Sequence, residues 1–71
     1  MSESKTVSVN GEESRVTAET VAALLQSRGV PADGRGIAVA LNGALVPRAE
    51  WPSTRLRSGD RIEISRPVVG G

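Results

Sequence analysis

Two Asn-Gly dipeptides, at residues 10–11 and 42–43, constrain the fold of this chain more than any other feature. Each follows a short segment of alternating side chains, residues 5–9 in the first case and 37–41 in the second. Asn and Gly both tolerate the positive φ angles that two-residue hairpin turns require. The chain then returns through residues 13–16 and 44–46. The sequence therefore predicts two β-hairpins.

One short helix is predicted between the two hairpins. Thr20 suits the N-cap because its hydroxyl can accept from a free backbone N–H of the first turn, and Thr17 is an alternative start. Gly29, followed by Pro31, ends the helix. Residues 30–36 then form a polar loop, which is expected to be mobile. The apolar positions that follow the N-cap at helical spacing are Val21, Leu24 and Leu25.

A fifth strand is predicted at residues 61–65, where apolar and polar residues alternate after the turn at 58–60. Pro47 cannot donate to a sheet, so the fourth strand should be short and lie at an edge. The segment between these strands is predicted to be irregular, with Trp51 and Leu56 as apolar anchors.

The resulting order, β-β-α-β-β-β, indicates an α+β fold, a five-stranded mixed sheet packed on one main helix. This is the order of the ubiquitin-like β-grasp, in which the last strand lies centrally and parallel to the first. We expect a β-grasp domain over residues 1–67 and a flexible tail over 68–71. The predicted core residues are Val7, Val9, Val16, Val21, Leu24, Leu25, Val39, Leu41, Leu45, Trp51, Leu56, Ile62 and Ile64.

The composition disfavours several classes of function. The 71 residues contain no Cys and no His, so the commonest metal ligands and general bases are missing. Asp60 and Glu63 are explained by a turn and a strand without catalysis. A net charge of +1 and a single aromatic residue, Trp51, argue against nucleic-acid binding. No apolar run is long enough for a membrane span and no signal-peptide core is present, so we expect a cytoplasmic protein.

The sequence ends in Gly70-Gly71, directly after Val68-Val69. Glycine offers a slim backbone with wide conformational freedom, so such an end can enter a narrow active-site channel of another protein. The two valines favour an extended backbone, although they could equally be the end of the last strand. Pro67 helps to separate the tail from the sheet. The terminal carboxylate is therefore a candidate reactive group.

Several segments resemble the ThiS-type sulfur carriers of thiamin biosynthesis, and the resemblance covers nearly the whole chain. The Val-Pro-Arg-x-x-Trp run at residues 46–51 indicates the thiamin branch, whereas the Gly-Asp turn and terminal Gly pair are shared by related carriers. The segments that carry the resemblance are residues 20–25, 39–43, 46–51, 58–64 and 69–71.

The resemblance implies a protein cosubstrate and not an enzyme. A ThiF-type adenylating enzyme, using its own ATP, would activate the carboxylate of Gly71, and the chain itself would bind no cofactor. A sulfur donor protein would supply a persulfide, the terminus would become a thiocarboxylate, and a ThiG-type thiazole synthase would receive the sulfur. Gly70, Val69 and Val68 would be required in the partner's active site. Nucleic acid and membrane are not expected partners.

Other functions remain open from the sequence. The same tail chemistry serves the small subunit of molybdopterin synthase and the ubiquitin-like protein modifiers. A further alternative is an interaction module whose terminal Gly-Gly is incidental. The arginines of residues 37–71 form either an ordinary mixed-charge surface, which we favour, or a docking patch. Trp51 is predicted to be a core residue and Arg48 a surface residue, in preference to partner contacts.

Overall fold

The computed structural model describes residues 3–31 and 33–66, and its elements follow the predicted order. The segment predicted to be irregular contains a 3₁₀ helix, which the sequence pattern did not indicate. The tail predicted at 68–71 lies outside the described residues, so its boundary with the domain stays a prediction. The elements are β1 (Lys5–Val9), β2 (Glu12–Val16), α1 (Val21–Ser27), β3 (Ala38–Leu41), β4 (Ala44–Leu45), the 3₁₀ helix (Arg48–Ser53) and β5 (Arg61–Ser65).

The five strands form one mixed sheet in the order β2-β1-β5-β3-β4. β1 and β5 are parallel, with Val9 opposite Ile62, and the other neighbouring strands are antiparallel. The predicted β-grasp fold, with its last strand beside the first, is therefore confirmed.

Both Asn-Gly turns have the predicted backbone geometry. Asn10 and Asn42 have φ angles of 52° and 51°. Gly11 and Gly43 follow with φ angles of 83° and 88°. Successive positive φ angles match the twist of a hairpin, which explains why each turn joins two adjacent antiparallel strands.

Helix α1 begins at the predicted N-cap. The hydroxyl of Thr20 accepts a hydrogen bond from the backbone N of Ala23 at 3.2 Å, so the alternative start at Thr17 is wrong. Gly29, with a φ angle of 83°, follows the C-cap Arg28 and ends the helix as predicted. In the described part of the chain, no helix has the length and apolar character needed to cross a membrane.

The core lies between α1, the 3₁₀ helix and one face of the sheet. Val16, Leu41 and Ile64, predicted to be core residues, are half-buried and pack against it. Val30 is buried although the sequence pattern placed it in a polar loop. The buried apolar residues are Val7, Val9, Val21, Leu24, Leu25, Val30, Val39, Trp51, Leu56 and Ile62.

The prediction that Leu45 is a core residue is wrong, because 78% of its surface is exposed. β4 has only two residues, and Leu45 pairs with Ala40, which in turn pairs with Glu63. Directly paired residues share a face of the sheet, so Leu45 lies on the open face, away from α1. The edge strand is too short for its apolar pattern to determine which side chain is buried.

Replacing Leu45 should therefore have little effect on stability. We expect Leu45→Ala to change the free energy of unfolding by no more than about 0.5 kcal/mol. Leu24→Ala, which removes a fully buried side chain of the same type, should lower it by about 2–5 kcal/mol. Urea denaturation of both variants checks the difference, and similar losses would contradict the exposed position of Leu45.

Candidate functional site

The C-terminal end of β5 is the point from which the predicted reactive tail departs. β5 has a neighbour on each side, β1 and β3, and Ile62 at its centre is fully buried. Ser65 still pairs with Ala38 of β3, one residue before the last described residue, Arg66. The chain is thus held by the sheet as far as Ser65.

Asn10 extends the hydrogen bonding of β5 beyond the two parallel pairs with β1. Its backbone N donates to the carbonyl O of Ile62 at 2.9 Å. Its side-chain Oδ1 accepts from the backbone N of Ile64 at 2.8 Å. β1 ends at Val9, so this side chain takes the place of the next strand residue. Asn10 therefore anchors β5 close to its exit from the sheet.

Asn42 and Asp60 perform the corresponding task where β5 begins. Oδ1 of Asn42 accepts from the backbone N of Arg61 at 2.9 Å, and its Nδ2 donates to Oδ1 of Asp60 at 3.1 Å. The other carboxylate oxygen of Asp60 accepts from the backbone N of Arg57 at 2.7 Å. Asp60 is therefore a turn residue, which agrees with the interpretation of this carboxylate as structural.

Two substitutions of Asn10 separate its backbone role from its side-chain role. Asn10→Ala should lower the free energy of unfolding by about 1–2 kcal/mol more than Asn10→Gly, because Ala resists the positive φ angle that Gly accepts. Both variants lose the acceptor for Ile64, so the amide of Ile64 should exchange with solvent faster in both. Urea denaturation and amide hydrogen exchange measure the two effects; unchanged exchange at Ile64 would contradict the anchoring role.

The Val-Pro-Arg-x-x-Trp run, residues 46–51, is a structural unit close to the C-terminal end of β5. Trp51 is 5% exposed, and its Nε1 donates to the carbonyl O of Val46 at 3.0 Å. The side chain of Arg48 is at the surface, as predicted, but its Nη1 donates to the carbonyl O of Asp33 at 2.7 Å. The described contacts of both motif residues therefore stabilise the fold, which confirms the prediction that Trp51 is a core residue.

The loop between α1 and β3 is anchored by this motif. Gly34 is buried, and a Cβ atom at its position would overlap the ring of Trp51. The backbone N of Gly34 also donates to the carbonyl O of Pro31 at 2.9 Å. The backbone N of Ile37 donates to the carbonyl O of Gly34 at 3.1 Å. The described residues around Gly34 therefore have a defined place beside the core, and the expected mobility of the loop stays a prediction.

A shallow groove, which we call the tail-root groove, lies where this loop meets the end of β5. Its volume is about 500 Å³. Among the described residues, two exposed arginines, Arg35 and Arg66, supply its charged side chains, and no acidic side chain lines it. The residues that line the groove are Gly29, Pro31, Arg35, Gly36, Ile37 and Arg66.

The sequence-predicted site residues Val68, Val69, Gly70 and Gly71 lie outside the described residues, as does Pro67. The structure therefore leaves their roles as predictions and describes the part of the chain that presents them. Sequence reasoning missed Asn10 as an anchor of β5 and Arg35 as a neighbour of Arg66. Asn10 was recognised only as a turn residue, because its contact with Ile64 joins residues 54 positions apart.

The described residues contain no cluster of side chains suited to a metal ion. Within residues 3–31 and 33–66, no three side chains of the His, Cys, Asp or Glu type come together at a distance suited to a metal ion. The carboxylate of Asp60 is engaged in a turn. The predicted reactive group, the carboxylate of Gly71, lies outside the described residues.

Known proteins resemble the chain over almost its full length. A profile of the ThiS family matches residues 7–71. A curated thiazole synthase from Paramagnetospirillum magneticum is 39% identical over 64 residues, which represent 89% of this chain. The chain spans only 19% of the length of that relative.

Two solved structures share the fold. The crystal structure of the thiamine biosynthesis protein ThiS from Geobacter metallireducens has a TM-score of 0.77 and 33% sequence identity, and covers 93% of this chain and 99% of that one. An NMR solution structure of a thiamine biosynthesis protein from the same organism has a TM-score of 0.74 and 29% identity, with coverages of 93% and 87%. The similarity therefore includes the sheet order and the helix that position the end of β5.

Proposed function

The chain belongs to the ThiS family, whose profile matches residues 7–71, and from this premise we propose that it carries sulfur for thiazole formation in thiamin biosynthesis. The resemblance inferred from its motifs is thereby confirmed. In the proposal the carboxylate of Gly71 is the reactive group, and Val68, Val69 and Gly70 pass through the active sites of partner enzymes. The chain acts as a cosubstrate, and the catalytic groups belong to those partners.

The first proposed step is adenylation by a ThiF-type enzyme. A carboxylate is a poor electrophile because its negative charge repels nucleophiles and oxide is a poor leaving group. Attack of the Gly71 carboxylate on the α-phosphate of ATP forms an acyl adenylate and releases pyrophosphate. The mixed anhydride has lost the charge and has AMP as its leaving group. ATP is bound by the partner in this proposal.

The second proposed step transfers sulfur from a donor protein. The terminal sulfur of a persulfide attacks the acyl carbon, expels AMP and leaves an acyl disulfide. A thiolate then attacks the donor-side sulfur of that disulfide, which releases the Gly71 thiocarboxylate and forms a new disulfide. The nucleophilic thiocarboxylate sulfur forms a bond to an electrophilic carbon of the substrate held by thiazole synthase. Water then cleaves the acyl–sulfur bond, which leaves the sulfur on that substrate and restores the carboxylate of Gly71.

The observation that carries the proposal is the family match, which includes the terminal Gly-Gly. The central position of β5 supports it, because a strand held on both sides offers a firm base to a tail that must enter another protein. The thiazole synthase from P. magneticum contains a segment 39% identical to this chain. The presence of a similar segment in a protein named thiazole synthase supports thiazole synthase as the recipient of sulfur here.

Intact mass spectrometry tests this function directly. The full chain is incubated with ATP, a persulfide sulfur donor and a purified ThiF-type enzyme. We expect the mass to rise by the replacement of one oxygen by sulfur, with the change located at Gly71. No change of mass in the complete mixture, under conditions where a known carrier is converted, would refute the proposal.

Partner selection distinguishes the related functions that share this chemistry. The thiocarboxylated chain should transfer its sulfur to thiazole synthase and should not form a stable complex with the large subunit of molybdopterin synthase. An isopeptide bond between Gly71 and target lysines would instead indicate a protein modifier. Sulfur transfer assayed with each purified partner separates these outcomes.

A further inference from the structure

We propose that Arg35 and Arg66 form an electrostatic docking site for an acidic surface at the mouth of the adenylating enzyme's channel. The inference rests on the proposed function and deepens it, because it names two residues and a chemistry through which the partner is recognised.

Any protein that takes the tail into a channel must come close to the residue where the tail starts. Arg66, directly after the end of β5 at Ser65, is the last described residue before the tail predicted at 68–71. Arg35, on the loop that leads into β3, lines the same groove as Arg66. A channel mouth that receives the tail would therefore lie near both guanidinium groups.

No acidic side chain of the described residues forms an ion pair within 4 Å with Arg35 or Arg66. The carboxylate of Asp33, the acidic residue nearest to Arg35 in sequence, accepts through Oδ1 from the backbone N of Arg35 at 3.2 Å. Glu63 is exposed on the open face of the sheet and does not line the groove. The ion pair that the described residues form within 4 Å, Arg55 with Glu19, lies elsewhere. Arg35 and Arg66 are thus available to an acidic partner.

The groove also has a defined shape before a partner arrives. Gly34, next to Arg35, is held against Trp51, and Arg48 donates to the carbonyl O of Asp33 at 2.7 Å. β5 is held up to Ser65 by its pairing with Ala38. A positively charged site on a fixed backbone loses less conformational freedom on binding, which favours recognition. Two of the residues that line the groove are glycines, and the two arginines are the largest side chains in its lining.

Charge reversal with a matched control tests the inference. Arg35→Glu combined with Arg66→Glu changes the sign of the groove, whereas Arg15→Glu combined with Arg57→Glu makes the same change of net charge elsewhere. Arg15 of β2 is paired with Thr6 of β1, and Arg57 precedes the start of β5, so both lie toward the other end of the sheet. All these arginines are exposed, and thermal unfolding verifies that both double variants fold.

The readout is thiocarboxylate formation with the purified ThiF-type enzyme, measured over a range of carrier concentrations. For the groove variant we expect KM to rise about tenfold or more with kcat little changed, because rim charges govern encounter and not the chemistry at Gly71. The difference from wild type should shrink between about 50 mM and about 500 mM salt as the charges are screened. The control variant should stay within about twofold of wild type.

Two results would overturn the inference: an unchanged KM in the groove variant, or a rise that is the same at both salt concentrations. An equal rise in the control variant would also overturn it, since net charge alone would then explain the effect. These outcomes presuppose that the wild-type chain is converted. If the wild-type chain is not converted to the thiocarboxylate, the proposed function itself is refuted. This outcome is distinguishable from a failure of the docking inference, in which the wild type is converted.

Discussion

Deletion of Gly71 is expected to abolish thiocarboxylate formation and to leave the free energy of unfolding unchanged. The deletion moves the terminal carboxylate back by one residue, so the partner's catalytic groups no longer meet it. A displacement of this kind can remove most of the rate, because acyl transfer depends on close alignment of the reacting atoms. The described strand pairings end at Ser65, which is why stability should not change.

Intact mass spectrometry and urea denaturation measure the two parts of this prediction. A chain extended by one glycine after Gly71 is the matched control, since it retains a terminal glycine carboxylate but changes the reach of the tail. Both variants should lose conversion if reach is decisive. Thiocarboxylate formation in the deleted chain at the wild-type rate would contradict the role of Gly71.

Gly34→Ala is expected to cause the largest loss of stability among single glycine substitutions in the loop between α1 and β3. Its φ angle of 59° is unfavourable for Ala, and the added Cβ would overlap the ring of Trp51. The two effects together should lower the free energy of unfolding by about 2–4 kcal/mol. A domain of this size is stable by roughly 4–10 kcal/mol, so much of its stability would be lost.

Gly36→Ala is the matched control for this substitution. Gly36 lies in the same loop with a φ angle of 73°, but a Cβ there would meet nothing within 4 Å. It should therefore lose only the backbone contribution, about 1–2 kcal/mol. Urea denaturation should also show a smaller effect of Gly34→Ala when Trp51 is replaced by Leu. Equal losses at both glycines would show that contact with Trp51 is unimportant.

The parts of the fold that sequence patterns predicted correctly depend on local signals. Asn10 and Asn42 begin tight turns because their own backbone accepts positive φ angles. Thr20 caps the helix through a contact three residues away. With the turns and the helix in place, the order of elements was enough to predict a central β5 parallel to β1.

The errors arose where contacts distant in sequence determine the result. Leu45 is exposed because β4 is short and pairs through its open face with Ala40. Val30 is buried, and Gly34 is held against Trp51, which is far from it in sequence. No local pattern reports such contacts. The same limit applies to the site. The terminal glycines were evident from the sequence, whereas the presence of Arg35 and Arg66 in one groove could be recognised only from the structure.

The adjacency of β1 and β5 has a consequence for the synthesis of this protein. β1 can pair with β5 only after β5 has left the ribosome. Folding therefore cannot be completed on a nascent chain that still lacks β5. The residues proposed to carry sulfur follow β5 directly in translation. A chain that stops before β5 would therefore lack the middle of its sheet as well as its tail, and would expose apolar surface that β5 covers in the folded domain.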